Sequence, residues 1–161
     1  MHPVYVYIKK ELSPFYAEEE ASAMAKWISS DILHLSTLEL YTGKDMNFST
    51  KEWAELEDIL RRLKQREPLQ YILQEASFCG RSFHVEQGVL IPRPETEELV
   101  EWIVSDYRKA GQVRILDIGT GSGCIPVSLA QLLPEAQVSS CDVSTEALRI
   151  AAMNVKRYGD K

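Results

Sequence analysis

Three glycines at alternate positions, Gly119, Gly121 and Gly123, directly follow the apolar run Ile115, Leu116 and Ile118. No other stretch limits the fold so tightly. An apolar run that meets a glycine cluster and then an amphipathic pattern predicts a buried parallel strand, a tight turn and a helix N-terminus. Residues without Cβ reach positive φ and let a ligand approach the backbone, and the following helix aims its free N–H groups into that space. A plain glycine-rich strand-to-helix turn would look the same in isolation, so the flanking sequence has to decide.

Downstream, Ile125, Leu129, Leu132 and Leu133 mark one side of a helix that Pro134 ends, with Pro126 in its first turn, where a missing N–H costs little. Gln137 to Cys141 reads as a second strand, closed by Asp142. Ser144 is placed to cap a helix carried by Leu148, Ala151, Val155 and Tyr158, with Gly159 just past its end. Upstream, Ile91-Pro92-Arg93-Pro94-Glu95-Thr96-Glu97 is a proline-stiffened loop. It leads into a helix with Leu99, Trp102, Ile103 and Tyr107 as its apolar face. Helix, strand, helix, strand, helix is the opening of a doubly wound α/β sheet.

The N-terminal part has a different texture. Ala21, Ala25, Ile28, Ile32 and Leu35 fall on one helix face, and Trp53, Leu56, Leu60 and Leu63 on another, with Glu57 and Arg61 one turn apart outside it. Ser36 with Glu39 and Ser49 with Glu52 match capping boxes. Short amphipathic helices hide such stripes by packing on one another, which predicts a small all-α bundle. From Ser77 to Val89 alternation takes over through Phe78, Gly80, Phe83 and Val85, with Glu86-Gln87-Gly88 as a turn. This reads as a β-hairpin bridging two domains. The expected divisions are a helical domain over 1–75, a hairpin linker over 76–91 and an α/β part over 92–161.

Charge and composition narrow the function. The net charge of −6 is spread along the chain without a basic stripe, which argues against direct nucleic-acid binding. Cys79, Cys124 and Cys141 lie far apart, as do His2, His34 and His84, so neither disulfides nor a metal site is expected. No apolar run approaches a membrane span and no signal peptide opens the chain, so it reads as a soluble, cytoplasmic protein without a membrane partner.

In a doubly wound sheet, ligands bind outside the carboxyl ends of the strands, where both the glycine loop and Asp142 fall. A carboxylate there can accept from both hydroxyls of a ribose; capping the next helix is the competing role for Asp142. The dinucleotide fingerprint fails, because counting from Gly119 puts Cys124 at the third glycine position and counting from Gly121 ends on Pro126. A phosphate-binding Walker loop is excluded because no Gly-Lys-Ser/Thr occurs. The spacing favours S-adenosylmethionine, with its methionine end against the glycine backbone and its ribose at Asp142.

Taken in order, Arg66-Glu67-Pro68-Leu69-Gln70-Tyr71-Ile72, Phe78-Cys79-Gly80, the stretch from Gly88 to Glu97, and Asp117-Ile118-Gly119-Thr120-Gly121-Ser122-Gly123 resemble the HemK/PrmC family. These enzymes methylate a glutamine of class I peptide chain release factors. The resemblance implies a helical domain that docks the release factor, a hairpin, and a Rossmann-like, S-adenosylmethionine-dependent methyltransferase domain. It assigns the cofactor to Gly119, Thr120, Gly121, Ser122, Gly123 and Asp142, with Pro92, Arg93, Pro94, Glu95 and Thr96 bordering the pocket. Gln74 stands where the family has glycine, and Pro126 where it has alanine.

The family's Asn-Pro-Pro-Tyr motif, which holds the substrate amide, does not occur in the 161 residues. The expectation is therefore an incomplete methyltransferase domain, the N-terminal part of an enzyme, inactive by itself and with no catalytic residue within it. Its open sheet would invite self-association. The competing expectation is a fragment that binds the release factor or the cofactor and catalyses nothing.

Overall fold

The computed structural model describes residues 1–43 and 48–159. The chain divides between Ile72 and Leu73 into two compact units.

The first unit is all helical: α1 (Pro3–Leu12), α2 (Glu18–Trp27), α3 (Thr37–Thr42) and α4 (Thr50–Lys64), with α5 (Leu69–Leu73) at the division. Both predicted capping boxes are present at Ser36 and Ser49, each with reciprocal Ser–Glu hydrogen bonds. Ile8, Leu12, Ala25, Ile28, Leu56, Leu60 and Leu63 are buried in its core. Two polar ties join distant segments: Lys64 pairs with Glu11 at 2.6 Å, and the Tyr16 hydroxyl donates to the Leu63 carbonyl at 2.6 Å.

Two sequence expectations fail in this unit, the single-face stripe and the burial of Trp53, whereas Glu57 and Arg61 do lie one turn apart on the exposed side of α4. The stripe from Ala21 to Leu35 does not stay on one α-helix, because Ile28–Ile32 form a π-helical turn in which the Leu33 N–H reaches back to the Ile28 carbonyl. One extra residue per turn shifts the phase, so Leu33 is buried and Ile32 only half-buried. Trp53 is 38% exposed, its ring edge-on to Tyr7 and Phe48 rather than in the core, and Ile59 is buried instead. Arg61 pairs with Asp58, while Glu57 accepts from the Tyr7 hydroxyl at 2.6 Å.

The second unit opens with an antiparallel hairpin, β1 (Glu75–Phe78) and β2 (Arg81–His84). Its turn is Cys79-Gly80, with φ of +48° and +68°, as a two-residue primed turn requires. The expected turn at Glu86-Gln87-Gly88 is a separate one after β2, where the Val89 N–H donates to the Glu86 carbonyl. Cysteine is not a usual positive-φ residue, which hid the hairpin turn from sequence reasoning. Gln74, at the family's glycine position, also sits at positive φ, +54°.

After the proline loop come α6 (Pro94–Tyr107), β3 (Arg114–Ile118), α7 (Cys124–Leu132), β4 (Gln137–Cys141) and α8 (Thr145–Tyr158). Strands β3 and β4 pair in parallel, Ile115 opposite Val138 and Ile118 opposite Cys141. This is the start of a Rossmann-like α/β arrangement. Phe78, Phe83, Val100, Val104, Val127, Leu129 and Leu133 form one core, with Ile115 and Val138 packed against it.

The expected faces hold for α7, where Leu129 and Leu133 are buried, and for Ala151, and Ile103, Val155 and Tyr158 pack on the core; elsewhere the buried residues differ. Helix α6 buries Val100 and Val104, whereas Leu99, Trp102 and Tyr107 are exposed. In α8, Ala147, Ile150, Ala151 and Asn154 are buried, while Leu148 is exposed. Strand β3 is covered on one face only: Leu116 and Ile118 are 61% and 77% exposed. An apolar run does not by itself say which of two faces has a covering layer.

Helix α8 completes the hairpin. In a two-residue hairpin closed between Phe78 and Arg81, the backbone groups of Ser82 and His84 point away from β1. Side chains of α8 meet them there. Arg157 and the Tyr158 hydroxyl donate to the Ser82 carbonyl, and the Asn154 amide accepts from the His84 N–H at 2.7 Å and donates to its carbonyl at 2.9 Å. Glu86, just beyond β2, pairs with Arg149, which also holds Glu146.

The strain at Gln74 carries a test. Gln74→Gly is expected to raise unfolding stability by roughly 0.5–1.5 kcal/mol, since a left-handed conformation costs a side-chain-bearing residue about 1–2 kcal/mol and glycine's greater unfolded freedom returns part of it. Urea unfolding followed by far-ultraviolet circular dichroism reads the shift.

Candidate functional site

The carboxyl ends of β3 and β4 are drawn together by one acceptor. The Cys141 carbonyl takes the N–H of Gly119 at 2.8 Å and of Thr120 at 3.1 Å, so the chain turns over the end of β4 as it leaves β3. Gly119, Gly121 and Gly123 all have positive φ, +82°, +54° and +77°. Gly123 is the N-cap of α7 and offers no side chain to its first amides; Pro126 supplies no donor there.

The three glycines serve two purposes. A Cβ built on Gly119 or Gly121 would meet nothing within 4 Å, so their backbone faces open space that a ligand can occupy. A Cβ on Gly123 would lie 3.1 Å from the Ala151 Cβ and 3.2 Å from its Cα, so this glycine lets α8 approach the loop.

Asp142 joins the loop directly. Its Oδ2 accepts from the Gly121 N–H at 2.9 Å and its Oδ1 from the Ser144 N–H at 2.9 Å. The amides of Ser144, Gly121 and Val143 hold its carboxyl below the usual aspartate range, so it is ionised at neutral pH. The cap of α8 is Ser144, whose hydroxyl accepts from the Ala147 N–H at 3.2 Å. Asp142 therefore braces the glycine loop through Oδ2 and the N-cap residue of α8 through Oδ1, without itself being the cap. A carboxylate has about four acceptor positions, so capacity remains for a ligand's hydroxyls.

Two buried polar atoms flank this loop without a hydrogen-bond partner among the described residues, Thr120 Oγ1 and Asp117 Oδ2. A buried polar atom left unsatisfied is costly unless a ligand or water meets it. Open backbone at two glycines, an ionised carboxylate and unspent polar atoms together suit a nucleoside carrying a charged, amino-acid-like tail. The Cys124 thiol is pushed up in pKa by burial and stays protonated, which makes it a packing residue rather than a nucleophile.

Of the residues expected at the site, Gly119 to Gly123 and Asp142 come together. The 92–96 segment is placed at the start of α6, which packs on α7. Arg93 is extended at φ −110° and ψ 145°, Pro94 is the first helical residue, and the Thr96 N–H donates to the Arg93 carbonyl at 3.0 Å. Among the described residues no hydrogen bond links 92–96 to the glycine loop. Asn154 was not singled out from sequence, yet its side chain is fully buried and donates to the Ser122 carbonyl at 2.8 Å. The available signal was a polar residue at the fourth position of the stripe Ala147, Ile150, Ala151, Asn154.

Two family descriptions match the chain: PrmC N-terminal domain over residues 6–73, and methyltransferase small domain over residues 96–160. The chain is 49% identical over 154 residues to a release factor glutamine methyltransferase of Bacteroides thetaiotaomicron, covering 96% of this chain and 55% of that protein. It is 42% identical over 146 residues to one of Flavobacterium psychrophilum, covering 89% and 51%. Against one of Geobacter sulfurreducens it is 41% identical over 141 residues, covering 88% and 49%. The chain thus spans about half the length of these curated relatives. No helix among the described residues is long and apolar enough to cross a membrane.

The glycines and the aspartate give separate expectations. Gly123→Ala should destabilise by about 2–4 kcal/mol, since it adds overpacking against Ala151 to the left-handed cost, whereas Gly119→Ala meets only the latter, about 1–2 kcal/mol. Chemical denaturation of both variants checks the order. For Asp142, whose pKa is depressed in the folded chain, the brace is complete above the ordinary value of 3.8 and is lost as pH falls through the lower folded value. The Gly121 amide resonance should accordingly titrate with a midpoint below 3.8.

Proposed function

The chain belongs to the HemK/PrmC family of methyltransferases, and from that premise we propose that the protein methylates the side-chain amide of a glutamine in class I peptide chain release factors, in the cytoplasm, with S-adenosylmethionine as donor. The observation that carries the donor assignment is the Gly121 N–H bonded to Asp142 Oδ2 at 2.9 Å across two adjacent parallel strand ends. It fixes an ionised carboxylate beside a backbone surface open at Gly119 and Gly121.

When bound, the cofactor supplies an electrophilic methyl group on a sulfonium. Gly119, Thr120, Gly121, Ser122 and Gly123 would hold its methionine end along the backbone, and Asp142 would accept from the ribose hydroxyls. Thr120 Oγ1 and Asp117 Oδ2, both unpartnered among the described residues, would supply further polar contacts. Pro92, Arg93, Pro94, Glu95 and Thr96 would form the rim. The helical segment 1–75 would dock the release factor, and 76–91 would link it to the donor-binding part 92–161.

Asn-Pro-Pro-Tyr, with which the family orients the substrate amide, is not among the 161 residues, and no residue here is assigned to the transfer step. That favours a second reading for these residues alone: they bind donor and release factor without moving the methyl group. Calorimetric titration with S-adenosylmethionine and transfer of labelled methyl to a purified release factor separate the two. Binding without transfer supports the second reading; binding with transfer supports an active enzyme; absence of binding overturns the donor assignment. Asp142→Ala should weaken donor binding tenfold or more, and unchanged affinity would remove the ribose role.

A further inference from the structure

We infer that Asn154 is a positioning residue for the donor site, coupling the outer edge of the hairpin to the glycine loop; this rests on the donor assignment to that loop. The Asn154 side chain is fully buried, and its carboxamide makes three hydrogen bonds at once. Its Oδ1 accepts from the His84 N–H at 2.7 Å, while its Nδ2 donates to the His84 carbonyl at 2.9 Å and to the Ser122 carbonyl at 2.8 Å. Both amide hydrogens are thereby used, so neither acceptor can be lost without leaving a buried group unpaired.

The geometry makes this more than a packing contact. Toward His84 the carboxamide acts as a one-residue stand-in for a neighbouring strand, taking the N–H and C=O that β2 directs away from β1. Toward Ser122 it holds the carbonyl between Gly121, whose N–H binds Asp142, and Gly123, which packs on Ala151 one turn earlier in α8. The loop is therefore fixed from two sides, by a carboxylate on its Gly121 amide and a carboxamide on its Ser122 carbonyl. All three loop glycines sit at positive φ, where glycine has unusual freedom; the Cys141 carbonyl restrains the start of the loop, and these two bonds restrain its middle. Ligand affinity at the loop then depends on the hairpin, and by reciprocity ligand binding tightens the His84 bond.

Other contacts between α8 and the hairpin do not touch the loop. Tyr158 and Arg157 both donate to the Ser82 carbonyl. Tyr158→Phe therefore removes a bond of the same kind without reaching Ser122, and it serves as the control.

Hydrogen exchange and calorimetry on the 161-residue chain decide the matter. Asn154→Asp keeps the acceptor for the His84 N–H and loses the donors; Asn154→Ala loses both. Both variants should speed exchange of the 119–123 amides at least tenfold and weaken S-adenosylmethionine binding at least tenfold, with Tyr158→Phe within twofold on both measures. In the unmodified chain, saturating S-adenosylmethionine should slow exchange of the His84 amide. Loop exchange unchanged in a folded Asn154 variant, or an equal loss in Tyr158→Phe, would overturn the coupling. If the unmodified chain binds no donor but the Asn154 variants still free the loop, the coupling stands and the donor assignment falls. If both Asn154 variants unfold, exchange of the unmodified chain in graded denaturant decides: one shared opening of His84 and Gly121 supports the coupling, and separate openings refute it.

Discussion

The hydrogen bond from the Gly121 amide to the Asp142 carboxylate is the interaction on which the second unit's geometry turns. A parallel strand pair ends in backbone groups with no ladder partner, and a loop built of glycines has little reason to hold one shape. Here the Cys141 carbonyl gathers the first two loop amides and the carboxylate gathers the next. The ends of β3 and β4 become one surface. Because Asp142 immediately follows β4, its reach to the loop is set by strand register, with Ile118 opposite Cys141. A one-residue slip would move the carboxylate to the other sheet face.

Helix α8 extends that control in the other direction. It meets two different neighbours: Ala151 and Asn154 meet the glycine loop, and Asn154, Tyr158 and the exposed Arg157 meet the hairpin. An edge strand with unpaired groups is a liability in water, and side chains from a helix cover this one. The tight packing at Gly123 and the buried carboxamide at Asn154 demand opposite things, a missing side chain in one place and a fully bonded one in the other. Both follow from the short distance between α8 and the loop.

Much of this was legible in the sequence, for reasons that differ from residue to residue. Ser36, Ser49 and Ser144 cap the helices they were expected to cap, because capping is local chemistry with a fixed spacing. Pro94 opens α6 and Arg93 is extended, as backbone sterics require. Faces were harder. The stripe through Ile32 lost phase at a π-helical turn, and α6 turned Val100 and Val104 inward rather than Leu99 and Trp102. Leu116 and Ile118 show that hydrophobicity reports what can be buried, not what is covered in a given pair of strands. The glycine turn and Asp142, which the sequence marked by motif, lie together at the strand ends, whereas Asn154 donates to a carbonyl distant in sequence and leaves only a polar residue on an apolar face.

The outward placement of Trp102 has an optical consequence. The chain has three tryptophans, and Trp102 is the one that lies after Leu73. At 67% exposure its indole already sits in a water-like environment in the native state. Melting of the α/β part would barely change its emission colour, so a tryptophan fluorescence transition would report chiefly on Trp27 and Trp53 in the helical unit. The α/β half would be quiet in tryptophan emission, and an apparently simple fluorescence curve would describe the other half of the molecule.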